Sequence, residues 1–227
     1  MANDHLEVAD WRRRVAGMWQ VWREASAADP EGATQRFRSD KDRLFAEHPQ
    51  SPLRPEERTS FGGLAYWFYD PAWRMTVKFE PAGEEPALST APAPSPFGGF
   101  APIALPNSGS EMIAFRKIGR VALEGPLAGQ SLPVFWIEGY GGGIFLPFRD
   151  GTSGAETYGA GRYLLDTIKS ADHGGDAEAG TLLLDFNQAY HPSCAYDPKW
   201  SCPLASPESI LRLPVEVGER LRGEAHQ

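Results

Sequence analysis

Between Phe145 and Cys202 the chain gathers arginine, aspartate, threonine, tyrosine, histidine and both of its cysteines into two non-repetitive segments, FLPFRDGTSGAETYGAGRYLLD and LLLDFNQAYHPSCAYDPKWSCPL. An ordinary surface loop uses interchangeable Ser, Gly, Lys and Glu, so this concentration predicts a site. In the first segment an apolar strand, 144–148, ends at Arg149 and Asp150. The turn that follows, Gly151-Thr152-Ser153-Gly154, can aim backbone N–H groups and two hydroxyls at one point, an arrangement that holds an anion. Arg162, in Tyr158-Gly159-Ala160-Gly161-Arg162-Tyr163, can add a bidentate fork for a carboxylate or phosphate. The competing reading has Asp150 cap its own turn while Arg149 or Arg162 pairs with Asp150 or Asp185, because Asp, Ser and Thr so often serve turns. Gly159-Ala160-Gly161 is neither a dinucleotide fingerprint nor a phosphate loop, since no strand-to-helix transition with the required glycine spacing surrounds it.

The second segment carries Asp185, Asn187, Tyr190, His191, Cys194, Tyr196, Trp200 and Cys202. His191, Cys194 and Cys202 are chemically competent zinc ligands, but their spacing lacks the paired C-x2-C of a dedicated site, so no metal and no cofactor is expected. The two cysteines can alternatively form a disulfide, or rest close together as thiols that fix the loop. Cys194 as nucleophile with His191 as base is the weakest option, because residues three apart in a proline-containing loop need not face each other. Tyr190, Tyr196 and Trp200 are of the type that pins a long loop to a core.

The elements that must position these residues follow from periodicity. Val8, Trp11, Val15, Met18 and Trp22 recur at steps of three and four, which predicts an N-terminal amphipathic helix opened by Asp4 and Glu7. The Arg12-Arg13-Arg14 run in it reads as a solvated face. A second helix is expected over 34–46, with Phe37, Leu44 and Phe45 inward and His48-Pro49 as its stop. From Leu64 the period becomes two, and Trp73, Met75, Val77 and Phe79 alternate with polar residues. Asp70-Pro71-Ala72 predicts a hairpin between 64–69 and this run. The proline-rich stretch 81–110 reads as a loop or irregular edge strand. Further strands are expected at 111–118, 120–124, 132–138, 144–148, 162–165, 181–186 and 213–217, with the polar, glycine-rich 169–180 as a mobile connection. About nine short strands without intervening helices predict a mainly β (α+β) fold, an antiparallel sandwich or barrel behind an N-terminal helical segment. The expected division is 1–48 helical, 49–219 β-rich and 220–227 a tail.

A formal net charge of −8 argues against a nucleic-acid partner held by its phosphates, and no run of apolar residues is long enough to span a membrane. The N-terminus lacks a signal-peptide pattern, which predicts a cytoplasmic protein.

The segments SPLRPEERTSFGGLAYW, YGGGIFLPFRDGTSGAETYGAGRYLLD and LDFNQAYHPSCAYDPKWSCPLASPE resemble the prokaryotic family of unknown function numbered 1684, over about 36–219. That resemblance implies a boundary, a bacterial source and a pattern, and leaves the reaction open. Members often carry asparagine where this chain has His191, which argues against a metal-ligand or base role there. Ser209 stands where the family usually has asparagine. Three functions are carried forward. The first is a module binding a small anionic molecule through Arg149, Asp150, Thr152, Ser153, Thr157, Tyr158, Arg162, Tyr163, Asn187 and Tyr190. The second is a hydrolase with Asp150 or Asp185 as general base. In the third, the same cluster ties long loops to the sheet.

Overall fold

The computed structural model describes residues 4–83, 103–104, 108 and 113–222 of the 227-residue chain. Two helices come first, α1 (Asp4–Ser26) and α2 (Pro30–Glu47). Asp29 caps α2 by accepting from the Gly32 N–H at 2.9 Å, and Pro30 occupies the first turn, where a missing N–H costs nothing. α2 therefore begins a turn earlier than the hydrophobic pattern alone suggests. The chain leaves it at His48, whose extended backbone is what the following Pro49 demands. Trp19 packs on Phe37 at 4.4 Å between ring centroids, and the Trp22 indole N–H donates to Thr34 at 3.3 Å, so the pair is held by aromatic area and one buried hydrogen bond. A single short turn, α3 (Pro55–Arg58), follows.

The strands are β1 (Ala65–Tyr66), β2 (Arg74–Pro81), β3 (Ile103–Ala104), β4 (Ala114–Ala122), β5 (Ser131–Ile137), β6 (Gly143–Phe148), β7 (Arg162–Asp166), β8 (Gly175–Asp176), β9 (Thr181–Asp185) and β10 (Glu219–Arg220). Every pairing is antiparallel. One curled sheet runs β7-β6-β5-β4-β2-β9-β8, and β3 pairs with β4 off that path. β2 is the strand that lets it curl. Its first half, Arg74 to Lys78, pairs with β9, whereas Phe79 to Pro81 pairs with β4. The alternation expected in β2 buries Met75 and Val77.

Four expectations change in detail. The 64–69 run does not form a hairpin with β2, because Pro71 and the Asp70 cap make a 3-10 turn there, and β1 pairs with β10 instead. The two strands expected at 111–118 and 120–124 are one strand, β4, with a bulge between Lys117 and Gly119. Residues 213–217 form no strand; their carbonyls are used elsewhere, as described below. The 169–180 connection contains β8, paired with β9. The proline-rich stretch lies largely outside the described residues.

The main core fills one face of the sheet with Val121, Leu132, Val134, Leu146, Phe148, Leu164, Leu184 and Phe186, all buried. The opposite face of β4 to β7 is also buried, through Phe115, Phe135, Phe145 and Tyr163. Burial on both faces is why FLPF reads as a continuous apolar run. The helical pair packs against Ala171, Leu183 and Tyr190, bringing α1 and α2 against β9 and the segment after it.

Candidate functional site

Two polar clusters grow from the two motif halves. In the first, Asp150 Oδ1 accepts from the Thr152 N–H at 2.7 Å, the Thr152 hydroxyl at 2.6 Å and the Val215 N–H at 3.3 Å. Its Oδ2 receives Arg162 Nη2 at 2.9 Å. The same guanidinium donates to the carbonyls of Val215 at 2.7 Å, Val217 at 2.6 Å and Glu219 at 3.1 Å, and lies against the rings of Phe148 and Trp67. Only its Nε lacks an acceptor among the described residues. Thr157 bonds Thr152 at 2.9 Å, and the N–H groups from Ser153 to Thr157 all go to carbonyls within the turn. Gly161 is required where the turn meets β7. Its φ is +100°, and a Cβ would stand 2.3 Å from the Phe148 carbonyl oxygen.

The Arg162 fork expected to meet a ligand is thus occupied by protein, as are the turn N–H groups. Within 213–217, expected to be a strand, the Val215 and Val217 carbonyls serve this arginine and the Leu213 carbonyl takes the Gly151 N–H. Arg149 is exposed, and its backbone, rather than its side chain, ties to Ser209 and Leu211.

In the second cluster Asp185 accepts from Arg74 at 3.0 Å and from the Asn187 N–H and side-chain amide at 3.0 and 2.9 Å. Burial raises its pKa, opposed by these bonds. The Asn187 side chain also brackets the Asp70 peptide, receiving its N–H and donating to its carbonyl, each at 2.9 Å. The Asp185 N–H donates to His173 Nδ1 at 3.1 Å. His173 is enclosed by Trp19 and Trp22, and its burial, with Arg74 and Arg23 nearby, lowers its pKa to about 3.

The two halves touch along one seam. Tyr163 and Tyr190 exchange backbone hydrogen bonds at 2.9 and 3.1 Å, and the Tyr158 N–H donates to His191 Nε2 at 3.2 Å. That bond leaves the hydrogen on Nδ1, which faces Glu219 Oε1 at 3.4 Å. Glu219 is fully buried and paired with Lys41 at 2.7 Å. Burial alone would raise this carboxylate, yet Lys41 and His191 hold it down to about 2. Cys194 and Cys202 are both buried and unpaired by disulfide, and the Cys194 N–H donates to Cys202 Sγ at 3.4 Å. No group of three or more His, Cys, Asp or Glu among the described residues is arranged to hold a metal.

Behind the seam lies a cavity of about 110 Å³, walled by α1, α2 and the 187–196 segment. Trp11, Trp19, Phe37, Phe45, Tyr66 and Tyr190 give it aromatic walls, and Arg38 and Lys41 bring charge. Arg38 donates to the carbonyls of Trp67 at 2.9 Å and Asn187 at 3.0 Å, stacks on Tyr66 at 4.4 Å, and hydrogen-bonds no carboxylate among the described residues. Burial lowers its pKa, opposed by Tyr66, Asp185, Glu219 and Asp42. The hydroxyls of Tyr66 and of Tyr196, a further lining residue, are buried without a hydrogen-bond partner among the described residues.

Of the residues expected to bind a ligand, Asn187 and Tyr190 line this cavity, and Arg149, Asp150, Thr152, Ser153, Thr157, Tyr158, Arg162 and Tyr163 do not. Arg38, Lys41, Tyr66 and Glu219 were missed by the motif reading. A signal for the first two exists: Phe37, Arg38, Lys41, Leu44 and Phe45 fall at helical spacing, which sets two cations on the apolar stripe of α2.

The fold and site define an α+β protein in which a curled antiparallel sheet carries an N-terminal helical pair, with an aromatic cavity beneath the helices. Residues 59–220 match the family described as "Protein of unknown function (DUF1684)", and the chain belongs to that family. The match begins after α1 and α2, so both helical walls of the cavity lie outside it. The chain is also similar to an uncharacterised protein of Haloarcula marismortui, known from a solution NMR structure, with 28% identity, a TM-score of 0.56, and coverage of 90% of this chain and 100% of that one. No curated protein matches. Among the described residues no helix is long and apolar enough to cross a membrane.

Proposed function

We propose that this protein is a small-molecule binding module whose ligand, a flat apolar body with one acidic group, sits in the cavity between α1, α2 and the 187–196 segment. The observation that carries the reading is an aromatic cavity whose wall includes Arg38, a guanidinium bonded to carbonyls and, among the described residues, to no carboxylate. A half-buried cation without a bonded anion is unfavourable, and a ligand carboxylate beside it relieves that cost. Size agrees: an apolar cavity of about 150 Å³ takes up benzene, so about 110 Å³ suits a ligand near the size of one ring. The anion-binding role first expected of Arg162 thereby moves to Arg38. The hydrolase reading has less behind it, since Asp150 and Asp185 are each fully engaged by donors and neither lines the cavity.

Trp11 and Trp19 line the cavity, so their fluorescence reports occupancy. The full chain is titrated with benzoate and with benzyl alcohol as the neutral counterpart, following fluorescence and thermal midpoint. Benzoate is expected to bind more tightly, with stabilisation of about 2.7 kcal/mol at a hundredfold excess over its Kd, and Arg38→Gln to abolish the preference. Equal binding of both compounds removes the acidic group from the reading; binding of neither removes the reading.

A further inference from the structure

We propose that Cys194 and Cys202 are a peroxide-reactive dithiol, with Cys194 as the attacking sulfur and Cys202 as the resolving one. The inference is independent of what the cavity holds. Three observations carry it. The Cys194 N–H donates to Cys202 Sγ at 3.4 Å, which holds the second sulfur over the backbone of the 3-10 turn at Ser193–Ala195. The Cys202 N–H in turn donates to the Ser108 hydroxyl at 2.9 Å, and the Cys202 thiol with the Ser108 and Tyr158 hydroxyls stands close enough to Cys194 to favour its ionised form. Cys194 is the more accessible of the two, at 7% against 1%.

The surroundings divide the roles. Interactions with Cys202 first, then with Ser108 and Tyr158, outweigh burial and lower the Cys194 thiol from its ordinary value, which makes it the readier nucleophile of the two. The Cys202 thiol is pushed up by its bond to Cys194 and by burial, and therefore keeps its proton. Tyr158 is raised to about 12, chiefly by burial, and remains a donor. In the first step the Cys194 thiolate attacks one oxygen of hydrogen peroxide. The O–O bond breaks, Cys194 becomes a sulfenic acid, and hydroxide leaves and takes a proton from solvent. In the second, Cys202 sulfur attacks the sulfenic sulfur, the S–O bond breaks, and its own proton leaves with the hydroxyl as water. The sum is two thiols and one peroxide giving one disulfide and two waters.

The full chain is treated with hydrogen peroxide, remaining thiols are alkylated under denaturing conditions, and peptides are mapped by mass. The expected result is a peptide linked between Cys194 and Cys202 that dithiothreitol reverses, forming several-fold more slowly at pH 5 than at pH 7 as the thiolate is titrated. Cys202→Ser should trap a dimedone-reactive sulfenic acid at Cys194, whereas Cys194→Ser should leave Cys202 unlabelled. Circular dichroism establishes that each variant is folded, and the wild-type map decides alone if one is not. Survival of both thiols, oxidation of Cys194 to sulfinic acid without the linkage, or dimedone labelling at Cys202 overturns the proposal.

Discussion

Arg162 and Asp150 meet at 2.9 Å with side chains 0% and 1% exposed, a charge pair cut off from water on both sides. Its location explains why it persists. Asp150 shapes the turn after β6, Arg162 opens β7, and the remaining arginine protons fasten the 215–219 carbonyls. Arg162→Met should strand a buried carboxylate and three carbonyls, costing on the order of 3 to 5 kcal/mol. At roughly 2 to 4 °C per kcal/mol for a chain of this size, the thermal midpoint falls by about 10 °C. A melt that superimposes on wild type would contradict the pair's structural role.

Acid should weaken the fold through His173. Its folded pKa, about 3, lies below the 6.5 of the unfolded chain, so between these values the unfolded state binds more protons. Stability contributed by the neutral imidazole is present above pH 6.5 and is lost as pH falls toward 3. His173→Asn keeps an acceptor for the Asp185 N–H and cannot titrate. Urea unfolding at pH 7 and pH 4 should show a smaller loss in the variant than in wild type, whatever its baseline. An unchanged pH slope would exclude His173 as the source.

Glu219 acts lower on the scale. Its pKa drops from 4.5 to about 2 on folding, so its contribution is full above pH 4.5 and vanishes as pH falls toward 2. Glu219→Gln leaves Lys41, in a nearly buried position, with no carboxylate partner among the described residues and should cost on the order of 3 kcal/mol at pH 7. The gap between variant and wild type should narrow below pH 4.5. A constant gap down to pH 2 would assign the loss to packing.

Asn187→Asp tests the second cluster. The amide donates to both Asp70 and Asp185, and a carboxylate there would lose both bonds and face Asp185. The expected loss is about 2 to 3 kcal/mol at pH 7, recovered in part as the new carboxylate protonates. Denaturant midpoints at pH 7 and pH 5 give the comparison, and equal deficits at both would rule out charge repulsion.

The elements were legible where period and burial agree. The α1 stripe that ends on Trp22, and the Met75 and Val77 alternation in β2, both declare which face is covered. The β1 with β10 pairing was not legible, because a two-residue strand carries no period and its partner lies more than 150 residues away. The 213–217 run misled for a related reason. Leu213, Val215 and Val217 alternate as a strand does, but Pro214 removes a donor, and carbonyls that would face a ladder turn to Arg162 instead. The motif halves marked polar residues correctly as unusual. Their types do not reveal whether a buried arginine faces a ligand or the backbone, since both uses want the same fork. The cavity depends on α1 and α2, which no motif tied to Asn187 and Tyr190.

Closing the sheet's last polar contacts with residues 215–219 has a consequence for the order of assembly. Every strand from β2 to β9 is synthesised before Arg162 has any of its carbonyl acceptors, and Lys41 waits longer still for Glu219. A nascent chain that has emerged only through β9 holds a guanidinium that must enter the core with one carboxylate and no backbone support. Completion of the native core is therefore a late event during translation. A chain cut just after Leu213 should retain every strand of the large sheet and still behave as a loosely packed intermediate, exposing apolar surface that the full chain hides.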